Sequence, residues 1–71
     1  MSTEVRAPMV GKILAVKCEV GQNVAEDDEL FILEAMKMEI PIGAPAAGTV
    51  KEIKVAAGQS VESDEVLAIL E

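Results

Sequence analysis

The second half of this chain repeats the first. Residues 5–34 align with residues 42–71 at one constant offset and without a gap. Ala7-Pro8 returns as Ala44-Pro45, Gly11 as Gly48, Lys17 as Lys54 and Gly21-Gln22 as Gly58-Gln59. Val24 returns as Val61, Asp27 as Asp64, Leu30 as Leu67 and Ile32-Leu33-Glu34 as Ile69-Leu70-Glu71. Other pairs keep their character: Val5 with Ile42, Ile13 with Val50, Val16 with Ile53. Matches at glycine, proline and apolar positions require the same turns and the same inward faces twice. A solenoid needs about three repeats to bury a continuous core. Two copies instead close on each other, so the expectation is one domain over residues 1–71 with internal quasi-two-fold symmetry and repeats at 5–34 and 42–71.

Local composition says what each repeat is made of. Short β-branched and apolar runs alternate with turn signals such as Gly21-Gln22-Asn23 and Gly58-Gln59-Ser60. No stretch between breakers holds a helical period long enough for a helix, and Asp27-Asp28-Glu29 allows at most a single turn. Strands are expected near 3–6, 10–16, 23–25, 29–35, 38–43, 47–54, 60–62 and 66–71, four from each repeat. The fold class is therefore all-β, a flattened barrel or sandwich.

Composition removes most functions. The chain has 71 residues and a net charge of −7 with only six basic residues, which argues against nucleic acid and anionic membranes. Phe31 is the only aromatic residue, so bases have nothing to stack on. Histidine, tyrosine and tryptophan are absent, and no serine or cysteine nucleophile can have a histidine base. No cysteine/histidine cluster offers a metal site. Gly11 and Gly21 recur as Gly48 and Gly58 and belong to turns, not to a phosphate loop. Cys18, the single cysteine, aligns with Val55 and reads as a small core residue. The start of the chain has neither the basic residues nor the apolar run of a signal peptide, and no segment is long and apolar enough to cross a bilayer, so a reducing intracellular compartment, the cytoplasm, is expected. Glu26-Asp27-Asp28-Glu29 reads as a solvated turn, with a basic partner as the functional alternative.

What remains is the segment between the repeats, Glu34-Ala35-Met36-Lys37-Met38-Glu39. Strand-like residues bracket Met36-Lys37, so a tight hairpin centred on that pair is the simplest connection. Two-residue hairpin turns need positive φ at both central positions and favour Asn-Gly. Met-Lys suits that backbone poorly, and violations of local preference concentrate where function lives. Neighbouring residues on a tip cannot all point inward, so at least one methionine should be exposed beside Lys37.

Ala35-Met36-Lys37-Met38 resembles the attachment motif of biotinyl domains, the biotin carboxyl carrier family. Ala7-Pro8-Met9-Val10-Gly11, Gly21-Gln22-Asn23-Val24 and Ala44-Pro45-Ala46-Ala47-Gly48 resemble further segments of that family, so the likeness runs along essentially the whole chain. It implies two four-stranded antiparallel sheets with the lysine on a hairpin turn, and covalent biotin on Lys37. It implies recognition of Glu34, Ala35, Met36, Met38 and Glu39 by a biotin protein ligase. The implied cycle loads the biotin ring nitrogen at a biotin carboxylase and unloads it at a carboxyltransferase or decarboxylase. The chain would then be a monomeric carrier with no active site of its own. Because the repeats align without a gap, the first has no room for the protruding thumb of some family members, and the chain resembles the thumbless type. The alternatives are a lipoyl carrier domain, whose tip usually reads Asp-Lys-Ala, and an interaction module without a prosthetic group.

Overall fold

The computed structural model describes residues 2–71. Eight strands form: β1 (Thr3–Arg6), β2 (Gly11–Val16), β3 (Asn23–Val24), β4 (Glu29–Ala35), β5 (Met38–Gly43), β6 (Gly48–Ile53), β7 (Ser60–Val61) and β8 (Val66–Leu70). Each lies within a residue or two of its expected position. No helix long and apolar enough to cross a membrane occurs among the described residues.

The strands assemble into two four-stranded antiparallel sheets, β1-β8-β6-β3 and β5-β4-β2-β7. Advancing every strand of the first order by one repeat turns it into the second, which is the two-fold symmetry in topological form. The symmetry reaches individual hydrogen bonds. The Gly21 N–H donates to the Val50 carbonyl at 2.7 Å, and the Gly58 N–H donates to Ile13 at 2.7 Å. The Asp27 N–H donates to Ala44 at 2.8 Å, and the Asp64 N–H donates to Ala7 at 2.9 Å. These bonds tie each repeat's turns to strands of the other, so neither half is complete alone. Register shifts recur as well, between Ile13 and Ala15 in β2 and between Val50 and Glu52 in β6. Such bulges increase local twist and curl the sheets toward each other.

The core lies between the sheets and is wholly apolar among the described residues. Phe31, Ile13, Leu33 and Leu67 are fully buried at its centre. β4, with Leu30, Phe31, Leu33 and Ala35, and β8, with Leu67, Ala68 and Leu70, supply more of it than any other strands, and both are central strands. Cys18 and its repeat counterpart Val55 are both buried, as the alignment required. Burial pushes the Cys18 thiol up from its ordinary range, which keeps it protonated and inert. The ion pairs are peripheral: Lys17–Glu29 at 3.3 Å, Lys51–Glu71 at 3.1 Å, Lys54–Glu52 at 3.6 Å, and Arg6–Glu4. All are well exposed and add little to stability.

Candidate functional site

β4 and β5 make the longest strand pair in the molecule, running from Glu29 opposite Gly43 to Ala35 opposite Met38. Only Met36 and Lys37 are left to connect them. Their φ angles are 53° and 62°, so both occupy the left-handed region. This is a type I′ turn, the geometry whose twist matches a hairpin but which glycine and asparagine normally supply. The other left-handed non-glycine residues among those described are Asp27 and Asp64, at φ 72° and 66°. They are equivalent by the repeat, and aspartate tolerates this conformation. Met36-Lys37 has no such equivalent and no such tolerance.

The turn is held by the strands beneath it. Leu33 is fully buried and Ala35 is 5% exposed, which anchors β4 up to the last residue before the turn. Gly11 on β2 lies so close to β4 that an added Cβ would stand 2.5 Å from the Glu34 carbonyl oxygen. That approach locks β2 against the base of the hairpin. A rigid base explains how the tip keeps a backbone conformation that its residues disfavour.

The side chains of the tip point outward. Met36 is 84% exposed and Met38 64% exposed, while Glu34, Lys37 and Glu39 are exposed as well. Both methionines, not merely one, are therefore presented to solvent. Of the flanking residues singled out from sequence, Ala35 alone differs: its methyl group faces the core, so its side chain offers no surface to a partner. Glu34 and Glu39 are directly opposite across the β4–β5 ladder. Like charges so placed repel.

Local pattern did not reveal a second group of residues at the site. A shallow depression beside the tip is walled by Val10 just ahead of β2, by Gly11 and Lys12 at its start, by Ser60 from β7, and by β4 and the turn itself. Gly11 pairs with Val61, Lys12 with Ser60 and Lys12 with Glu34, so three strands bring these positions together. The recurrence of Gly11 as Gly48 was the one available signal, since it marked a close approach of strands.

Lys12 and Lys37 share a further property. Every other basic residue takes part in an ion pair, and among the described residues these two have none. Lys37 thus ends in an exposed primary amine that no carboxylate holds. That chemistry suits amide formation with a carboxylic acid, and the tip presents the amine clear of the body.

Comparison with known proteins agrees with this geometry. The profile of the biotin/lipoyl family, described as "Biotin-requiring enzyme", matches residues 3–70. The biotinylated protein TB7.3 homolog of Mycolicibacterium smegmatis is 45% identical over 42 residues, 59% of each chain. Methylmalonyl-CoA decarboxylase subunit gamma of Propionigenium modestum is 57% identical over 35 residues, 49% of this chain and 26% of the relative. The biotin carboxyl carrier protein of Streptococcus mutans is 61% identical over 33 residues, 46% of this chain and 25% of the relative. The chain thus spans from a quarter to somewhat over half of these relatives. The structure superposes on Kluyveromyces lactis urea carboxylase with a TM-score of 0.94 and 28% identity, covering 100% of this chain and 6% of that one. A single-chain, multi-domain long-chain acyl-CoA carboxylase gives a TM-score of 0.90 and 29% identity, over 96% of this chain and 7% of that one. With its fold, its symmetry and its profile match in agreement, the chain belongs to the biotin/lipoyl family, whose profile is that of biotin-requiring enzymes.

Proposed function

We propose that Lys37 Nζ is the point of covalent biotin attachment and that the chain carries a carboxyl group between separate active sites of a biotin-dependent carboxylase or decarboxylase. One observation carries this reading: an unpaired amine stands exposed on a two-residue turn whose left-handed backbone its own residues disfavour. Nothing in folding explains that choice of residues, whereas a requirement for a lysine at an outermost point does.

The residues around the amine fit the group. The methionines flanking Lys37 give a ligase apolar surface on both sides, and their unbranched side chains adapt to a partner's shape. Glu34 and Glu39 supply negative charge at the second residue pair below the turn, which a ligase with a basic surface would recognise. Ala35 acts indirectly, as a small buried residue that lets β4 run straight into the turn. When bound, biotin supplies a ring nitrogen able to accept and give up a carboxyl group. The chain itself supplies position: it replaces diffusion of a small cofactor by a tether with a high local concentration at each partner. The partners on this reading are a biotin protein ligase, a biotin carboxylase and a carboxyltransferase, with the chemistry residing in them. A polar, acidic exterior suits brief visits to each.

The test is co-expression with a biotin ligase, followed by intact mass and peptide mapping, with Lys37→Arg as the control. A biotin-sized increase confined to the peptide containing Lys37, and absent from Lys37→Arg, is expected. An unmodified parent would overturn the assignment, and a lipoyl-sized increase would move it to the lipoyl branch of the family.

A further inference from the structure

We infer that the depression beside the tip is a resting site for the ring of the tethered biotin, so that the arm lies back on this chain between deliveries. The inference rests on the proposed attachment at Lys37.

The first observation is a row of side chains. Ser60, Lys12, Glu34 and Glu39 stand opposite one another in successive strands β7, β2, β4 and β5, all exposed on the same face just below the tip. Gly11, next to this row, adds no side chain, so backbone forms the floor. Val10, 62% exposed, and Met36 give the depression apolar edges that no other part of the chain covers.

The second observation comes from the symmetry. Glu34 corresponds to Glu71, and Glu71 is neutralised by Lys51 at 3.1 Å. The position that corresponds to Lys51 in the first repeat is Leu14, so Glu34 has lost that partner. Lys12 is its cross-strand neighbour, yet the two form no ion pair. The equivalent place in the other half thus satisfies its own charges, and this one holds an acid and an amine in reserve.

Biotin's ring matches such a surface. Its ureido group offers N–H donors and one carbonyl acceptor, fused to an apolar thioether ring. Glu34 can accept a ureido N–H, Lys12 and Ser60 can donate to the carbonyl, and Val10 and Met36 can cover the thioether. Lysine and biotin each contribute an alkyl chain to the tether, which easily folds back over two strand spacings, about 10 Å. Because the ring is tethered, even weak contacts suffice to hold it. A carboxyl group on one ring nitrogen would remove one of the two N–H donors available to Glu34 and add a negative charge beside that acid, so the loaded ring would rest here less well than the empty one.

The experiment compares 15N-labelled chain in three forms: unmodified, biotinylated with the position verified by peptide mapping, and acetylated at Lys37. Acetylation removes the lysine charge without adding a ring. Expected are amide shifts at Gly11, Lys12 and Ser60 in the biotinylated form alone, with nuclear Overhauser contacts between ring protons and the Val10 methyls. Biotinylated Lys12→Ala and Val10→Ser should lose these signals and be captured by streptavidin about two- to fivefold faster, since capture needs the arm free. Shifts confined to residues 35–39, or capture rates equal to the parent's, would overturn the resting site and leave attachment at Lys37 intact. Biotin mapped to another residue would overturn both.

Discussion

Replacing Met36-Lys37 by Asn-Gly should make the protein more stable while removing the amine proposed for attachment. The magnitude follows from the turn. Both residues are left-handed, at φ 53° and 62°, and each L-residue outside the Asn/Asp group pays at least about 1 kcal/mol there. Asparagine relieves part of the first penalty and glycine all of the second. Glycine's greater freedom in the unfolded chain takes back about 0.5–1 kcal/mol. Little packing is lost, since Met36 is 84% exposed and Lys37 is exposed too. The net gain is about 1 kcal/mol, or about 4–8 °C in Tm for a domain this size. Urea unfolding followed by far-ultraviolet circular dichroism measures it, with an unchanged m-value showing that the surface exposed on unfolding is the same in both proteins. Asp27→Gly and Asp64→Gly are the comparison, because aspartate already tolerates φ of 72° and 66° and should gain less. A double variant no more stable than the parent would refute the reasoning. The turn would then not be strained, and the appeal to function at Met36-Lys37 would lose its physical basis.

Other substitutions separate the scaffold from the tip. Gly11→Ala forces a Cβ to 2.5 Å from the Glu34 carbonyl in mid-sheet and should cost about 2–3 kcal/mol. Gly48→Ala meets the Glu71 carbonyl at 3.0 Å, at a residue beyond the last strand, and should cost under about 1 kcal/mol; equal losses in thermal unfolding would contradict this. Met36→Asp should leave the protein at least as stable as the parent, because aspartate tolerates the left-handed turn, while slowing biotinylation, and an unfolded variant would place Met36 in the core after all. Cys18 should resist iodoacetamide in the native protein and react once urea unfolds it. Because folding raises its thiol above the ordinary range, its contribution to stability is full below that range and is lost as pH climbs through it. A native thiol that alkylates as fast as the unfolded one would contradict its burial.

The eight strands were legible because every turn signal occurs twice. A single Gly-Gln is weak, but Gly21-Gln22 and Gly58-Gln59 at matching positions remove the ambiguity, and in the structure each donates to the opposite repeat. The tip was legible for the opposite reason, since Met36-Lys37 has no second copy and sits where the repeat cannot continue. The orientation of Ala35 was only half visible: strand alternation from Leu33 places it inward, while its position in a recognition motif suggests exposure. The depression was not legible at all. Lys12 and Ser60 reach Glu34 through cross-strand register, and register is set by bulges such as the one between Ile13 and Ala15, which leave no distinctive residue behind. Sequence pattern carries period and punctuation well, but it does not carry which residues of four strands share a row.

The two-fold symmetry supplies an internal control that few sites possess. It carries the pair Leu33–Ile40, below the tip, onto Leu70–Thr3, where the two ends of the fold meet. It carries Gly11 against Glu34 onto Gly48 against Glu71. The scaffold therefore builds the same platform twice and places a lysine-bearing turn on one of them. Whatever the fold alone requires must appear on both platforms, and the close glycines and buried leucines do. Whatever appears on one platform only answers to something else. The left-handed Met36-Lys37, the opposed Glu34 and Glu39, and the unpaired Lys12 fall in this class, whereas the second platform has the ion pair Lys51–Glu71. Differences between equivalent places thus separate what folding demands from what it does not, and they confine the latter to one turn and the row beneath it.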